Sequence, residues 1–513
     1  MRVRLSAVIL VVVVILAGCS TAPAPADSST TTPNEPAPTT TTRTTTTTTT
    51  PPPTVTTTPP TMVDDLPDPP TDRLGWENGY WYNESINVDR TDGLNDTELD
   101  AVVARSMARV EYVRGLEFDR NVPVKVISRE EFRNRTIGQS DNRTDAQKLH
   151  QEIKFEALFF VGEGDSAVRQ REENTASNVL GYYSPRNDSI VIVSEDTESP
   201  QMNEITLSQE LFHAVQESTF NVSNYTANTE ETHNARDGII EGDGNYVDHL
   251  YEERCDAGWD CLRPVDQSGD SGSDRDQPHV GMLALRLQPY SDGPVFVEKI
   301  YERRGWTGVN AIYDAPPEST EQTIHTEKYR VDSPTNVTIE DRSNDRWHVP
   351  DQGEGNIDYA QFGEAGVYVM LWYPSYEGAR EGGDRDVIIP VGHFFGPSQS
   401  SGLDLYDYNH PLSAGWDGDK LLPYVTNDSA TTNETGYVWK LNWDSRADAA
   451  AFEGAYLDLL EYHGAEEVQG RPDTYRIGNG EFADAFRVTQ SGKNVTIVNA
   501  PTVDALSEVR KRA

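Results

Sequence analysis

The sequence predicts an α+β chain of two folded parts, preceded by a disordered tract. Three observations predict this. Residues 20–66 are dominated by Thr and Pro and hold too little apolar surface to offset the entropy of ordering. From about residue 90 to 350, apolar residues recur at helical spacing and alternate with short β-branched runs. Beyond 350 the runs become richer in Val, Ile and aromatic residues. The expected divisions are a leader over 1–19, the tract over 20–66, one domain over 67–350 and a smaller α+β domain over 351–513.

The leader begins with Arg2 and Arg4 and continues through an apolar run, Leu5 to Leu16, too short to span a bilayer comfortably. It ends in Leu16-Ala17-Gly18-Cys19, the pattern for cleavage before Cys19 and its lipidation. The chain is therefore expected to sit on the extracellular face of the membrane, held there by a lipid. "TTTTRTTTTTTTPPPTVTTTPP" then reads as an O-glycosylated stalk or a plain flexible spacer. Sequons at Asn83, Asn95, Asn134, Asn142, Asn187, Asn221, Asn224, Asn336, Asn427, Asn433 and Asn494 agree with an exposed glycoprotein. With Cys19 lipidated, Cys255 and Cys261 in "CDAGWDC" are the natural disulfide pair; no Cys or His stands at zinc-finger spacing from them.

Charge narrows the partners. The chain has 84 Asp and Glu against 43 Lys and Arg, a net charge of −41, and the carboxylates spread over every segment. This composition resembles haloarchaeal secreted proteins and suits a solvated surface in high salt. No basic patch is present to hold phosphates, so no nucleic-acid partner is expected. A peptide or a cell-envelope protein remains as the expected class of partner, beside the membrane itself.

The elements follow in order. "NDTELDAVVARSMARVEYVRGLEF" is a helix capped by Thr97, with Val102, Ala104, Met107, Val110 and Val113 at helical spacing. "VPVKVIS" is a strand and "AQKLHQEIKFEALFFVG" a second helix. "VLGYYSPRNDSIVIVSE" reads as a hairpin turning at Pro-Arg-Asn-Asp. "ITLSQELFHAVQES" is a helix, followed by "GIIEGDGNYVDHLYEERC" with Ile240, Val247 and Tyr251 along one side. Helices continue through "HVGMLALRLQPYSDGPVFVEKIYERRG" and "WTGVNAIYDAP". Then "GVYVMLWYP" and "RDVIIPVGHFF" read as strand-like, "TGYVWKLNW" as a strand and "SRADAAAFEGAYLDLLEYHG" as a helix. "TYRIGNG" and "NVTIVNAP" complete the strands.

The chemistry concentrates in "SQELFHAVQ". Taken alone, Glu210-x-x-His213 occurs by chance in a chain this rich in Glu, and an ordinary amphipathic helix would turn Gln209, His213 and Gln216 to solvent. The context argues otherwise. A hairpin leads into the helix, and a helix with Glu241 follows, 28 residues after His213, with Asn245 four residues further on the same face.

These pieces resemble gluzincin-type metallopeptidases, whose pattern is H-E-x-x-H followed by a helix carrying Glu. The chain is also similar to haloarchaeal cell-surface proteins built on that scaffold, through "SQELFHAVQ", "GIIEGDGNYVDHLYEERC", "LQPYSDGPVFVEKIYERRGW", "PPESTEQTIHTEKY", "AGWDGDK" and "WDSRADAAAFEGAY". The resemblance implies a zincin-like domain over 67–350. It places Glu210 on the general base, His213 and Glu241 on zinc ligands, and Asn245 behind Glu241. The first ligand histidine is replaced by Gln209, whose amide oxygen is a weak zinc ligand. The implied state is a metallopeptidase-like scaffold without its metal cofactor, serving a binding or structural role. The alternative is an active zinc peptidase in which His233 supplies a replacement ligand; His249, about 12 Å along the helix from Glu241, is too far. His325 is expected to be structural.

Overall fold

The computed structural model describes residues 62–511 apart from 64–65, 90–92, 195–196, 198–199, 201–202, 264–277, 397–401 and 433. The expected leader, Cys19, nearly all of the Thr/Pro tract and Asn433 lie outside the described residues. Val63, at the end of that tract, already bridges to Glu84. A two-stranded ribbon, β1 (Trp76–Glu77) and β2 (Tyr80–Trp81), follows.

Helix α1 (Asp96–Arg114) begins on Asn95 rather than on the expected Thr97. The Asn95 side chain accepts from the N–H groups of Thr97 and Glu98, and Glu98 accepts in return from the Asn95 N–H. Thr97 already lies inside the first turn. Strand β3 (Val124–Ser128) leads to helices α2 (Arg129–Thr136), α3 (Asp145–Ala157) and α4 (Ala167–Asn178). The expected hairpin is β4 (Gly181–Ser184) and β5 (Ser189–Ser194). β5 is central, parallel to β3 and antiparallel to β4, so β4 forms a sheet edge.

Two helices dominate the next section: α5 (Glu204–Phe220) and α6 (Glu230–Ala257), the latter beginning on a Thr229–Thr232 capping pair. A disulfide joins Cys255, in the last turn of α6, to Cys261. The expected pair of helices downstream is one long element, α7 (Val280–Tyr313), broken at Gly305. α6 and α7 approach closely at Gly242 and Gly293, where a Cβ on Gly242 would lie 2.5 Å from the Gly293 carbonyl carbon. Gly242→Ala is therefore expected to cost about 1–3 kcal/mol by overpacking. Gly454, also helical, faces open space, so Gly454→Ala should stabilise by up to about 1 kcal/mol. Thermal unfolding of both variants checks the contrast.

After α8 (Thr320–Ile324) comes α9 (Gly363–Arg380), which corrects the strand-like reading of "GVYVMLWYP". "RDVIIPVGHFF" likewise holds a single helical turn, α10 (Val391–Phe394). Every residue from Gly363 to Ser375 is buried, so the run has no polar face to mark it as helical. Asp419 starts α9 from across the structure: its carboxylate accepts from the N–H groups of Phe362 and Gly363 and from the Trp439 indole.

The C-terminal sheet contains β6 (Trp416–Val425), β7 (Thr435–Trp443), β8 (Ala465–Glu467), β9 (Thr474–Ile477), β10 (Ala485–Ser491) and β11 (Asn494–Ala500). It is antiparallel throughout, in the order β6-β7-β11-β10-β9-β8. The short helix α11 (Ser429–Thr432) lies between β6 and β7, and α13 (Leu506–Val509) follows β11. Between β7 and β8 runs α12 (Arg446–Tyr462), which sets Phe452 against Trp443 with ring centroids 4.8 Å apart. One continuous core runs from Ile127 through α9 to Ile497, so the parts on either side of residue 350 share an interior. The molecule is α+β, and no helix among the described residues is long and apolar enough to cross a membrane.

Candidate functional site

α5 is fixed at its start before it presents any chemistry. Asn203 caps it, and the buried Glu204 carboxylate receives Arg105 (3.1 Å), Arg109 (2.5 Å), the Tyr251 hydroxyl (2.6 Å) and the Leu262 N–H (2.7 Å). These contacts tie α5 to α1 and α6. Leu207, Leu211, Phe212 and Val215 then fill the core between them.

Gln209, His213 and Gln216 are buried, at 1%, 1% and 0% exposure, so the amphipathic helix with a solvated polar stripe is excluded. Glu210 and Glu241 are equally enclosed. The edge strand β4 reaches this face: the Tyr183 N–H donates to Glu210 Oε2 at 2.7 Å. In α6, Gly242 and Gly244 divide the work. Gly242 admits α7, and Gly244 leaves room for the imidazole, since a Cβ there would lie 3.3 Å from His213 Cε1.

The tautomer of His213 follows from its neighbours. The Gln216 amide nitrogen donates to the Ile240 carbonyl (3.0 Å) and meets the Tyr313 hydroxyl (2.7 Å). The carbonyl can only accept, so the Gln216 oxygen is the atom turned to His213 Nδ1 at 3.0 Å, and Nδ1 carries a proton. Nε2 is thereby directed at Glu241, 3.4 Å from Oε2. That separation suits an ion pair but is not aligned as a hydrogen bond. Burial pulls the His213 pKa down, yet the Glu241 carboxylate outweighs it and holds the imidazole up to about 10. Burial raises Glu210 to about 7, with the His213 charge opposing and the Glu241 charge adding.

Behind this group runs a polar chain. The Tyr313 hydroxyl donates to Asp243 at 2.6 Å, and Arg114 grips both oxygens of Asp243 while also reaching Asn310. Sequence reasoning missed Asp243, Tyr313 and Arg114, and considered Gln216 only as a solvent-facing residue of an ordinary helix. Its place three residues from His213 on the same helix face was the signal for the contact. Asp248 was missed too; it accepts from Ser208 at 3.1 Å, and burial pushes its carboxyl well above the usual range. Asn245 corrects its expected role: its amide nitrogen donates to the backbone carbonyl of Glu241, not to the carboxylate.

Zinc can be tested against these donors. Gln209 Nε2 and Glu210 Oε1 are buried without a hydrogen bond here, and His213 Nε2 and Glu241 Oε2 face only each other, as an ion pair. The 3.4 Å between His213 and Glu241 matches the edge of a tetrahedron around zinc, about 3.3 Å for ligands at about 2.0–2.1 Å. A third ligand is missing. His233 pairs with Asp237 at 2.7 Å and His249 with Glu253 at 3.7 Å, so neither is turned to the pair. His325 bonds Glu364 at 3.0 Å. Among the described residues, the groups of three or more convergent metal-ligand side chains lie elsewhere. One imidazole, one carboxylate and one amide do not make a catalytic zinc set.

A family profile described as a domain of unknown function (DUF8575) matches residues 348–510. The match covers the C-terminal sheet and α9, not the helices that hold His213. No curated protein matches the chain, and no solved structure does.

Proposed function

We propose that this chain is a lipid-anchored protein of the outer cell surface, built on a zincin-like scaffold of gluzincin type that has lost its metal. It serves there in a binding or structural role. Gln209 carries the reading. It stands one turn before His213 at the first ligand position, and its amide cannot replace an imidazole on zinc. Without the ion nothing lowers the pKa of a water for Glu210 to deprotonate. The burial of Glu210, His213 and Glu241 adds support, because a peptidase must admit a peptide to these groups. The anchor rests on the sequence around Cys19, and the cell-surface setting on that anchor together with the acidic surface and the disulfide.

The full-length chain, purified in its native salt, is expected to contain no stoichiometric zinc and to hydrolyse no peptide. Glu210→Gln should then leave its properties at the surface unchanged. One zinc per chain, together with a peptidase activity lost in Glu210→Gln, would overturn the proposal.

A further inference from the structure

We propose that Glu156, Glu163 and Asp484 hold a calcium ion at the seam between α3 and the C-terminal sheet. One carboxylate oxygen from each lies within 4.8 Å of the others, as oxygens do when they share an ion coordinated at about 2.3–2.6 Å. The three come from separate places. Glu156 is in the last turn of α3, Glu163 in the loop after it, and Asp484 in the residues leading into β10.

Rigid contacts bring them together. The Glu163 N–H donates to the Glu481 carbonyl at 2.9 Å. Gly162 makes that approach feasible, because a Cβ there would lie 2.3 Å from the Cβ of Glu481. Phe159, at φ +56°, sets its ring 4.7 Å from His463 and 5.0 Å from Phe482, so the loop is anchored on both sides. Asp484 is held by its own carbonyl, which accepts from the Ile477 N–H.

The buried carboxyls of Glu156 and Asp484 meet each other rather than a basic group. Glu156 is 9% exposed and Asp484 2%, and no Lys, Arg or His side chain among the described residues pairs with either. Burial and the neighbouring carboxylates push both pKa values up, Asp484 to about 7. A second trio, Glu321, Asp332 and Asp444, shows the alternative solution. There Lys328 Nζ enters the cluster, 2.9 Å from Asp444 and 3.6 Å from Asp332.

Asn499 on β11 points independently to a ligand. It is 1% exposed, and its amide nitrogen donates to Asp484 Oδ2 at 2.8 Å. Its amide oxygen has no partner, and the Asp484 carboxyl otherwise meets the Glu156 carboxyl. A set of carboxylate and amide oxygens without nitrogen or sulfur suits a hard cation. Calcium accepts such irregular sets with few waters, whereas magnesium demands a tighter octahedron.

The test is a calcium titration of the EDTA-treated full-length chain in high NaCl, by calorimetry and by thermal unfolding. One saturable site is expected, with a higher melting temperature, and magnesium at the same concentration should not reproduce it. Glu163→Gln, at an exposed position, should weaken the site by about tenfold or more through the lost ligand charge. Asp484→Asn should abolish it while the calcium-free chain stays folded, since the change removes a charge that burial disfavours. If Asp484→Asn fails to fold, Glu163→Gln decides alone. No saturable uptake, equal uptake by wild type and variants, or an equal response to magnesium would each overturn the proposal.

Discussion

Glu204→Ala is expected to destabilise the chain by about 3–5 kcal/mol, the cost of breaking a buried ion pair from one side. The loss does not come from one contact. Arg105 and Arg109, each fully buried, would keep their charges and lose the carboxylate at 3.1 and 2.5 Å. The Tyr251 hydroxyl and the Leu262 N–H would lose their acceptor as well. Arg109 also lies over the Trp259 ring at 4.7 Å, so its displacement would disturb the packing around the Cys255–Cys261 loop. Denaturant unfolding at neutral pH measures the change. A variant that replaces both arginines and the glutamate with apolar residues of similar volume should recover part of it, because the desolvation cost of the ions disappears while the Tyr251 hydroxyl and the Leu262 N–H stay without their acceptor.

The same pair predicts a pH dependence. Burial pushes Glu204 up, but Arg105 and Arg109 outweigh it and hold the carboxyl below its usual 4.5. A depressed carboxyl contributes stability that is fully present above the unfolded value and is lost as pH falls through the folded one. The stability gap between wild type and Glu204→Ala should therefore be constant from pH 7 down to about 4.5 and narrow in stronger acid. A gap that stays open at low pH would mean that packing, not charge, carries the effect.

Elements that carry their own local signal were legible in the sequence. The β4–β5 hairpin declared itself by its turn, and α5, α6 and α12 by apolar residues at helical spacing. α9 did not. It is enclosed on all sides, so Val367, Tyr368, Val369, Leu371 and Trp372 formed the kind of short apolar run that periodicity cannot assign. Its start is also set from outside, by Asp419 some 56 residues away on β6, and no local cap announced it.

The site divides along the same line. Glu210, His213 and Glu241 were visible because one helix and one fixed spacing placed them. The groups that orient His213 were not, since Gln216 is held by Tyr313 from α7, Tyr313 by Asp243, and Asp243 by Arg114 from α1. Asn245 shows the limit of face arguments: position on the right side of α6 did not decide which oxygen of Glu241 its amide would meet.

Gln209→His is expected to restore one tightly held zinc per chain. The argument is geometric. His213 Nε2 is already directed at Glu241 by the Gln216 contact on Nδ1, and the pair is spaced as two corners of a zinc tetrahedron. Residue 209 lies one helical turn before His213, where i and i+4 side chains share a face, so an imidazole there supplies the third corner. Restoring a whole ligand should change affinity by more than the roughly 10- to 100-fold that follows loss of a supporting hydrogen bond. At zinc concentrations about 100 times Kd the variant should gain about 2.7 kcal/mol of stability, read as a zinc-dependent rise in melting temperature that wild type lacks. Adding Glu241→Gln to the variant should remove the gain. If Gln209→His binds no more zinc than wild type, then the placement of Glu241 as a ligand is wrong, and with it the kinship of this helix pair to the gluzincin pattern. If the variant binds zinc but hydrolyses nothing, the enclosure of Glu210 beneath β4 becomes the second barrier to catalysis, independent of the missing histidine.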